Sequence, residues 1–215
     1  KAFGGMLQAS RILPTGSGND LPYPTVDDTA VTGELLAENT AAAQTGITFG
    51  QIVFKAYKYS SKEVLVPTEL LEDADVDVES IIADLQGERI GRIINTHFTT
   101  GDNSGKPQGV VPASGLGKTA ASATAIIVGE LIDLFHSVDP AYRSGPQVAW
   151  MFNDSTLSAV RLLKEATTGA YIWQPGLSLG VPDVILGKPY TINQDMASIA
   201  SATKPVIFGD FSKYK

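Results

Sequence analysis

The segment Gly115-Leu116-Gly117-Lys118-Thr119 comes nearest to residues that do chemistry. A lysine between glycine and threonine is how a phosphate-binding loop ends, its ammonium and the loop N–H groups facing phosphate oxygens. The spacing argues against that chemistry. In G-x-x-x-x-G-K-[ST] the first glycine falls at position 112, which is Pro112, and residues 120–125 separate Thr119 from the helical pattern that should follow at once. A flexible connector of small residues accounts for the segment. The acidic group Glu69, Glu72, Asp73, Asp75, Asp77 and Glu79 has the charge for a metal but lacks the glycine and bidentate glutamate of a calcium loop, and it fits the solvated start of a helix. Asp102-Asn103-Ser104-Gly105 is turn composition. The chain has 2 histidines, His97 and His136, and neither lies in a nucleophile motif; H-E-x-x-H and G-x-S-x-G do not occur. Both fit helix-end or packing positions. Distant carboxylates can converge in space, but no local pattern pairs them. No catalytic residue, metal site or cofactor is expected.

Composition narrows the classes further. At 215 residues, 43% hydrophobic and 18% charged, the chain has enough apolar material for one large or two small cores. A net charge of -7 without a Lys/Arg cluster argues against a nucleic-acid surface. With 0 cysteines, disulfides and thiolate metal sites are excluded. Apolar runs fall well short of the roughly 20 residues of a membrane span, and no signal-peptide pattern is visible. The chain opens on Lys1 rather than Met and stops at Lys215 just after a strand-like segment, so a processed or excised part of a longer protein is expected.

The elements are hung on residues 64–109. Asp75 and Asp77 stand where helix N-caps belong. Val78, Ile81, Ile82 and Leu85 then form one apolar stripe, and Ile90, Ile93, Ile94, His97 and Phe98 a second. The stripes differ in phase by roughly a third of a turn, with Gly87 and Gly91 at the changeover, so one helix on the order of 30 Å long should meet two neighbours. Each glycine costs roughly 1 kcal/mol against alanine, for which close backbone packing is the expected reason. Before this spine, residues 21–26 form an edge strand, because Pro22 and Pro24 each remove a ladder donor. Residues 27–46 are small and polar, and 47–59 alternate as a strand with Ile47, Phe49, Val53, Tyr57 and Tyr59 on one face. Two strands around a coreless tip describe a projecting hairpin arm, which is marginal alone and needs a partner to order it.

After the spine come a loop over 101–112 and a small-residue connector over 113–124. A helix over 126–138 follows, with Ile127, Leu131, Leu134, Phe135 and Val138 inward, stopped by Pro140. A strand over 147–152 leads to a helix capped by Asp154, with Leu157, Val160 and Leu163 inward. Short strands follow at 171–173, 184–186, 190–192 and 206–208, and Trp150 and Trp173 are expected in the core. The fold class is α+β, with a domain boundary near residue 113.

This order of features resembles the major capsid protein family of tailed phages, whose Hong-Kong-type fold is shared with encapsulins. The arm carries Ala37-Glu38 near its tip and leads into Ile47-Thr48-Phe49; Pro67-Thr68-Glu69-Leu70-Leu71-Glu72-Asp73 precedes the spine. The loop G-D/N-G-x-x-x-P-x-G-I is matched by Gly101-Asp102-Asn103-Ser104-Gly105-Lys106-Pro107-Gln108-Gly109-Val110. Ala149-Trp150-Met151-Phe152-Asn153 is similar to the family's strand ending in Asn. Leu163-Lys164-Glu165 with Gly169-Ala170-Tyr171-Ile172, then Leu186-Gly187-Lys188-Pro189-Tyr190, and Phe208-Gly209-Asp210 follow in the family's order.

The resemblance covers residues 21–210 and implies a phage-capsid-type α+β fold. Residues 1–20 would be the remnant of an N-terminal segment, 21–59 the E-loop hairpin arm, and 60–112 the peripheral domain with its spine helix. Residues 113–210 would be an axial α/β domain and 211–215 the start of the return to the peripheral domain. It implies a major capsid subunit of a tailed phage or prophage, self-assembling through hexamers and pentamers into an icosahedral procapsid, with a scaffolding segment or protease as further partners. Localisation would be the virion capsid, reached from the bacterial cytoplasm during assembly, without membrane or specific nucleic-acid binding. Leu35, Leu36, Ala37, Glu38, Asn39, Thr40 and Gln44 at the arm tip are the expected subunit contacts. Cross-linking members carry a lysine near that tip, whereas residues 39–46 here hold none and the first lysine after Lys1 is Lys55. An encapsulin-like compartment and a small α+β enzyme or ligand-binding domain are the alternative functions.

Overall fold

The computed structural model describes residues 5–14, 16, 18–69, 75–165, 169–171 and 184–214. The chain divides into two compact units, Pro14–Lys58 on the one hand and Lys1–Leu13 with Tyr59–Lys215 on the other.

The larger unit is built on a strand buried on both faces. β3 (Val148–Phe152) reads Val-Ala-Trp-Met-Phe without a polar residue, the pattern of a strand covered on both sides. Counting β1 (Leu21–Val26) and β2 (Phe49–Phe54) of the smaller unit first, the sheet here is four-stranded in the order β4-β5-β3-β6, with β4 at Val184–Ile185, β5 at Lys188–Ile192 and β6 at Val206–Asp210. β3 runs parallel to β5, pairing Trp150 with Tyr190, and antiparallel to β6, pairing Trp150 with Phe208. β4 and β5 form a tight hairpin whose turn holds Leu186 at φ 50° and Gly187 at φ 73°.

The period-2 geometry of β3 sends alternate residues to two cores. Val148, Trp150 and Phe152 meet Leu131 of α4 (Val128–Ser137), Leu157 and Val160 of α6 (Asp154–Arg161), Ile185 and Phe208. Ala149 and Met151 meet Met6 of α1 (Met6–Ala9), Val110 of α3 (Val110–Ala113), Met196, Ile207 and Phe211. The Trp150 indole N–H donates to Ile185 O at 3.0 Å, and its ring lies 4.4 Å from that of Phe208. A short α5 (Pro140–Arg143) is capped by Asp139, which accepts from Ala141 N.

The spine, α2, spans Val78–Thr100; Asp77 caps it by accepting from Ser80 N at 3.1 Å, while Asp75 lies in the bend before it. Its buried residues are not the apolar stripes but Asn95 and Thr99. The second stripe is partly seated, Phe98 packing beside the Met151 core. The first stripe is only partly covered, with Val78 and Ile82 half-buried and Ile81 and Leu85 50% and 48% exposed. Gly87 has open space where a Cβ would go, so close packing is not its reason. The sequence pattern sees apolar residues, whereas what seats this helix is a polar cluster confined to its last two turns. None of the described helices is long and apolar enough to cross a membrane.

Other expectations shift by a residue or two. Asn153 rather than Asp154 caps α6, accepting from Thr156 N at 2.9 Å, because its position before the first helical residue aims the amide oxygen at that N–H. Ile127 precedes α4 and is exposed instead of inward. Residues 110–113 are a short helix instead of loop. Of the strand expected over 171–173, Tyr171 forms an isolated bridge with Lys164, and residues 172 and 173, Trp173 included, lie outside the described residues.

Candidate functional site

The smaller unit pairs β1 (Leu21–Val26) with β2 (Phe49–Phe54), antiparallel from Leu21↔Phe54 to Val26↔Phe49. Pro22 and Pro24 are tolerated because β1 has one partner strand, so its other edge needs no donors. Ile47, Tyr57 and Tyr59 fall outside the strand. Asp20 accepts from Ala56 N at 3.1 Å just beyond the ladder, and Tyr23 meets Phe54 edge to face.

Past the ladder the chain holds itself by local polar bonds. Asp27 accepts from both the amide and the hydroxyl of Thr29, and these bonds, the hydroxyl's first, hold its carboxyl below the usual carboxylate range. Glu34 accepts from Ala43 N at 2.6 Å and so closes the tip. Inside that closure Thr40 N donates to Ala37 O at 3.2 Å, with Asn39 in the left-handed region at φ 63°. Leu35, Leu36, Ala37, Glu38, Asn39, Thr40 and Gln44 are all exposed. Val26, Val31, Ile47, Phe49, Ile52 and Val53 are exposed as well, and no described residue of this unit is buried. The unit thus leaves a large apolar surface exposed.

In the larger unit the spine is fastened by a buried polar network. Asn95 Nδ2 donates to Asn193 Oδ1 at 3.0 Å and also to the Asp195 carboxylate, while its Oδ1 accepts from Met6 N at 3.3 Å. Asn193 Nδ2 donates to Thr99 Oγ1 at 2.8 Å, and Asn193 N to Phe152 O at 2.9 Å. Spine, α1 and the ends of β3 and β5 are thus tied at one point. Where the spine ends, Gly109 N donates to Gly101 O at 2.8 Å, and a side chain at either glycine would strike backbone, Pro107 O at Gly101 and Thr99 O at Gly109. The loop between them turns at Asn103 and Gly105, both at positive φ, with Ser104 N bonded to Asp102 Oδ1.

The residues singled out for chemistry are spread apart. Lys118 Nζ sits 2.6 Å from Asp133 Oδ2, a contact that pushes its ammonium above the usual lysine range. His97 Nδ1 meets Tyr59 OH at 3.0 Å, and His136 Nδ1 accepts from Arg143 at 3.1 Å. Of the acidic group, Glu69, Asp75, Asp77 and Glu79 are exposed, and Glu72 and Asp73 lie outside the described residues. Among the described residues no three His, Asp or Glu side chains gather as a metal site. Sequence reasoning missed Asn95, Asn193 and Glu130. A polar residue between Ile94 and Phe98 on a seated helix was the available signal for the first.

Among the described residues the two features that stand out are thus an exposed apolar hairpin unit and a spine fastened by buried hydrogen bonds. The model of the phage capsid family matches residues 1–215. This chain belongs to the phage capsid family. Among solved structures it is similar to the capsid of a native GTA particle computed with C5 symmetry, at 21% identity over 97% of this chain and 73% of that one, with a TM-score of 0.82. The corresponding empty GTA particle gives 22% identity, 99% and 74% coverage and a TM-score of 0.76. A chain of Mycobacterium phage Cain gives 19% identity, 99% and 69% coverage and a TM-score of 0.66. No curated protein matches. These likenesses show an α+β phage-capsid fold, and family membership makes the protein a phage capsid shell subunit, a structural protein.

Proposed function

We propose that the chain self-assembles through hexamers and pentamers into the icosahedral procapsid of a tailed phage or prophage, with the arm as its overlapping contact. In this proposal residues 21–59 are the E-loop, 60–112 the peripheral domain and 113–210 the axial domain, and Leu35, Leu36, Ala37, Glu38, Asn39, Thr40 and Gln44 lie on an adjacent subunit. The observation that carries it is the arm unit, in which no described residue is buried although Leu35 is fully exposed and Phe49 is 70% exposed. A hairpin gains order only when such side chains are covered, and identical subunits with complementary patches close into symmetric shells.

Similarity to GTA capsid chains computed with C5 symmetry supports repetition around symmetry axes. The shell role requires no catalysis, and a net charge of -7 suits an inner surface that does not grip packaged DNA. Scaffolding and proteolytic maturation belong to the same proposal, as does assembly in the bacterial cytoplasm. Deleting residues 39–44 from the full-length protein and imaging the product by electron microscopy tests it. Open sheets or unassembled subunits are expected; closed shells of normal size would show that the tip is not a required contact.

A further inference from the structure

Residues 114–125 join α3 to α4 without regular secondary structure. Every residue from 115 to 125 is exposed, and its one large apolar side chain, Leu116, is 74% exposed. The strap therefore contributes nothing to either core and is held by other means. Lys204 Nζ donates to Val111 O at 3.1 Å and Ser114 O at 2.7 Å where the strap begins. Gly117 lies against the end of α4, where a Cβ would come within 2.5 Å of Ser137 Oγ and 2.7 Å of Leu134 Cδ1. Lys118 pairs with Asp133, and Ala121 N donates to Glu130 Oε1 at 2.7 Å.

Beneath the strap lies a cleft of about 1070 Å³, walled by α4 on one side and by β6 and Phe211 on another.

We propose that residues 114–125 are a detachable strap over this cleft, and that Glu130 sets whether it is shut. The other attachments do less. Lys118 and Asp133 are both substantially exposed, so their attraction is screened by water. Lys204 fixes only the strap's start, and the Gly117 contact is plain van der Waals packing. Glu130 is 8% exposed, and its two oxygens accept from Ala121 N inside the strap and from Ile127 N, at 3.1 Å, just past its end. Bonds from N–H to a carboxylate are the stronger kind, and a buried one left unmade exposes its amides to exchange. This device is independent of where the arm lies.

Hydrogen exchange and limited trypsin digestion of the 215-residue chain test it, comparing wild type with Glu130→Gln and Glu130→Ala. In Glu130→Ala the amides of Ala121 and Ile127 should exchange about tenfold faster or more, and cleavage after Lys118 should accelerate in proportion, while the β3 amides keep their wild-type rates. Glu130→Gln keeps one acceptor oxygen and should fall between. Unchanged strap exchange in Glu130→Ala would overturn the proposal. So would acceleration of the β3 amides together with the strap, or failure of both variants to fold, since Glu130 would then hold the domain rather than its cover.

Discussion

Asn95 and Asn193, 98 positions apart in the chain, share a hydrogen bond of 3.0 Å with both side chains buried. Around them Met6 N, Thr99 Oγ1 and the Asp195 carboxylate supply further partners. Asn95→Ala removes one member and strands several partners away from water, so it should destabilise the larger unit by roughly 2–4 kcal/mol, read as a shift in urea midpoint. Asn193→Ala should cost about as much, and the double variant clearly less than the sum, because the second change removes groups the first had already orphaned. Additive effects would mean that the two act separately.

Trp150 combines full burial, the bond to Ile185 O and a tilted ring contact with Phe208. Trp150→Phe should cost about 2–4 kcal/mol, since it removes a buried hydrogen bond and leaves a void where the indole's second ring was. Thermal denaturation followed by circular dichroism measures it. A loss under about 0.5 kcal/mol would show that neighbouring side chains collapse into the space.

Tyr214 is half-buried, donates its hydroxyl to Gln108 O at 2.7 Å and meets Phe98 edge to face. Burial, with the nearby Tyr59 phenol adding to it, pushes its phenol from 10.0 up to about 12. The folded chain thus holds the proton more tightly than the unfolded one. The resulting stability is fully present below pH 10.0 and is lost as pH rises toward about 12. Urea midpoints between these limits should fall with pH in the wild type and fall less in Tyr214→Phe. Equal slopes would show that Tyr214 does not carry the effect.

Much of this fold could be read from local patterns. β3 announced itself as an unbroken apolar run, α2 by Asp77 and its length, and the edge strand β1 by prolines at alternate positions. The motif Gly101 to Gly109 has a physical reason in the structure, where backbone meets backbone and neither glycine can carry a Cβ. Asn153 likewise does two jobs, capping α6 and donating to Met196 O. What could not be read is what depends on distant partners. Asn95 looks like a surface residue of an amphipathic helix until Asn193 is brought beside it, and Glu130 looks like an ordinary helix-start acid until the strap passes over it. Stripe counting expected two neighbours for the spine because apolar residues at Ile81 and Leu85 are no statement of what covers them.

Leu35 is fully exposed at the arm tip, so within its own chain it contributes no burial. Leu35→Asp in the full-length protein should therefore leave the urea midpoint of the soluble subunit unchanged. If the tip lies on an adjacent subunit, the same change places a carboxylate on an apolar seat, which costs several kcal/mol at each contact unless the charge finds a partner. Because every subunit repeats that contact, the penalty multiplies around the shell. Sedimentation and negative-stain imaging should then show soluble subunits in place of closed particles, whereas Leu35→Met, which preserves the apolar surface, should assemble normally. Closed particles from Leu35→Asp at wild-type yield would place the contact elsewhere on the arm.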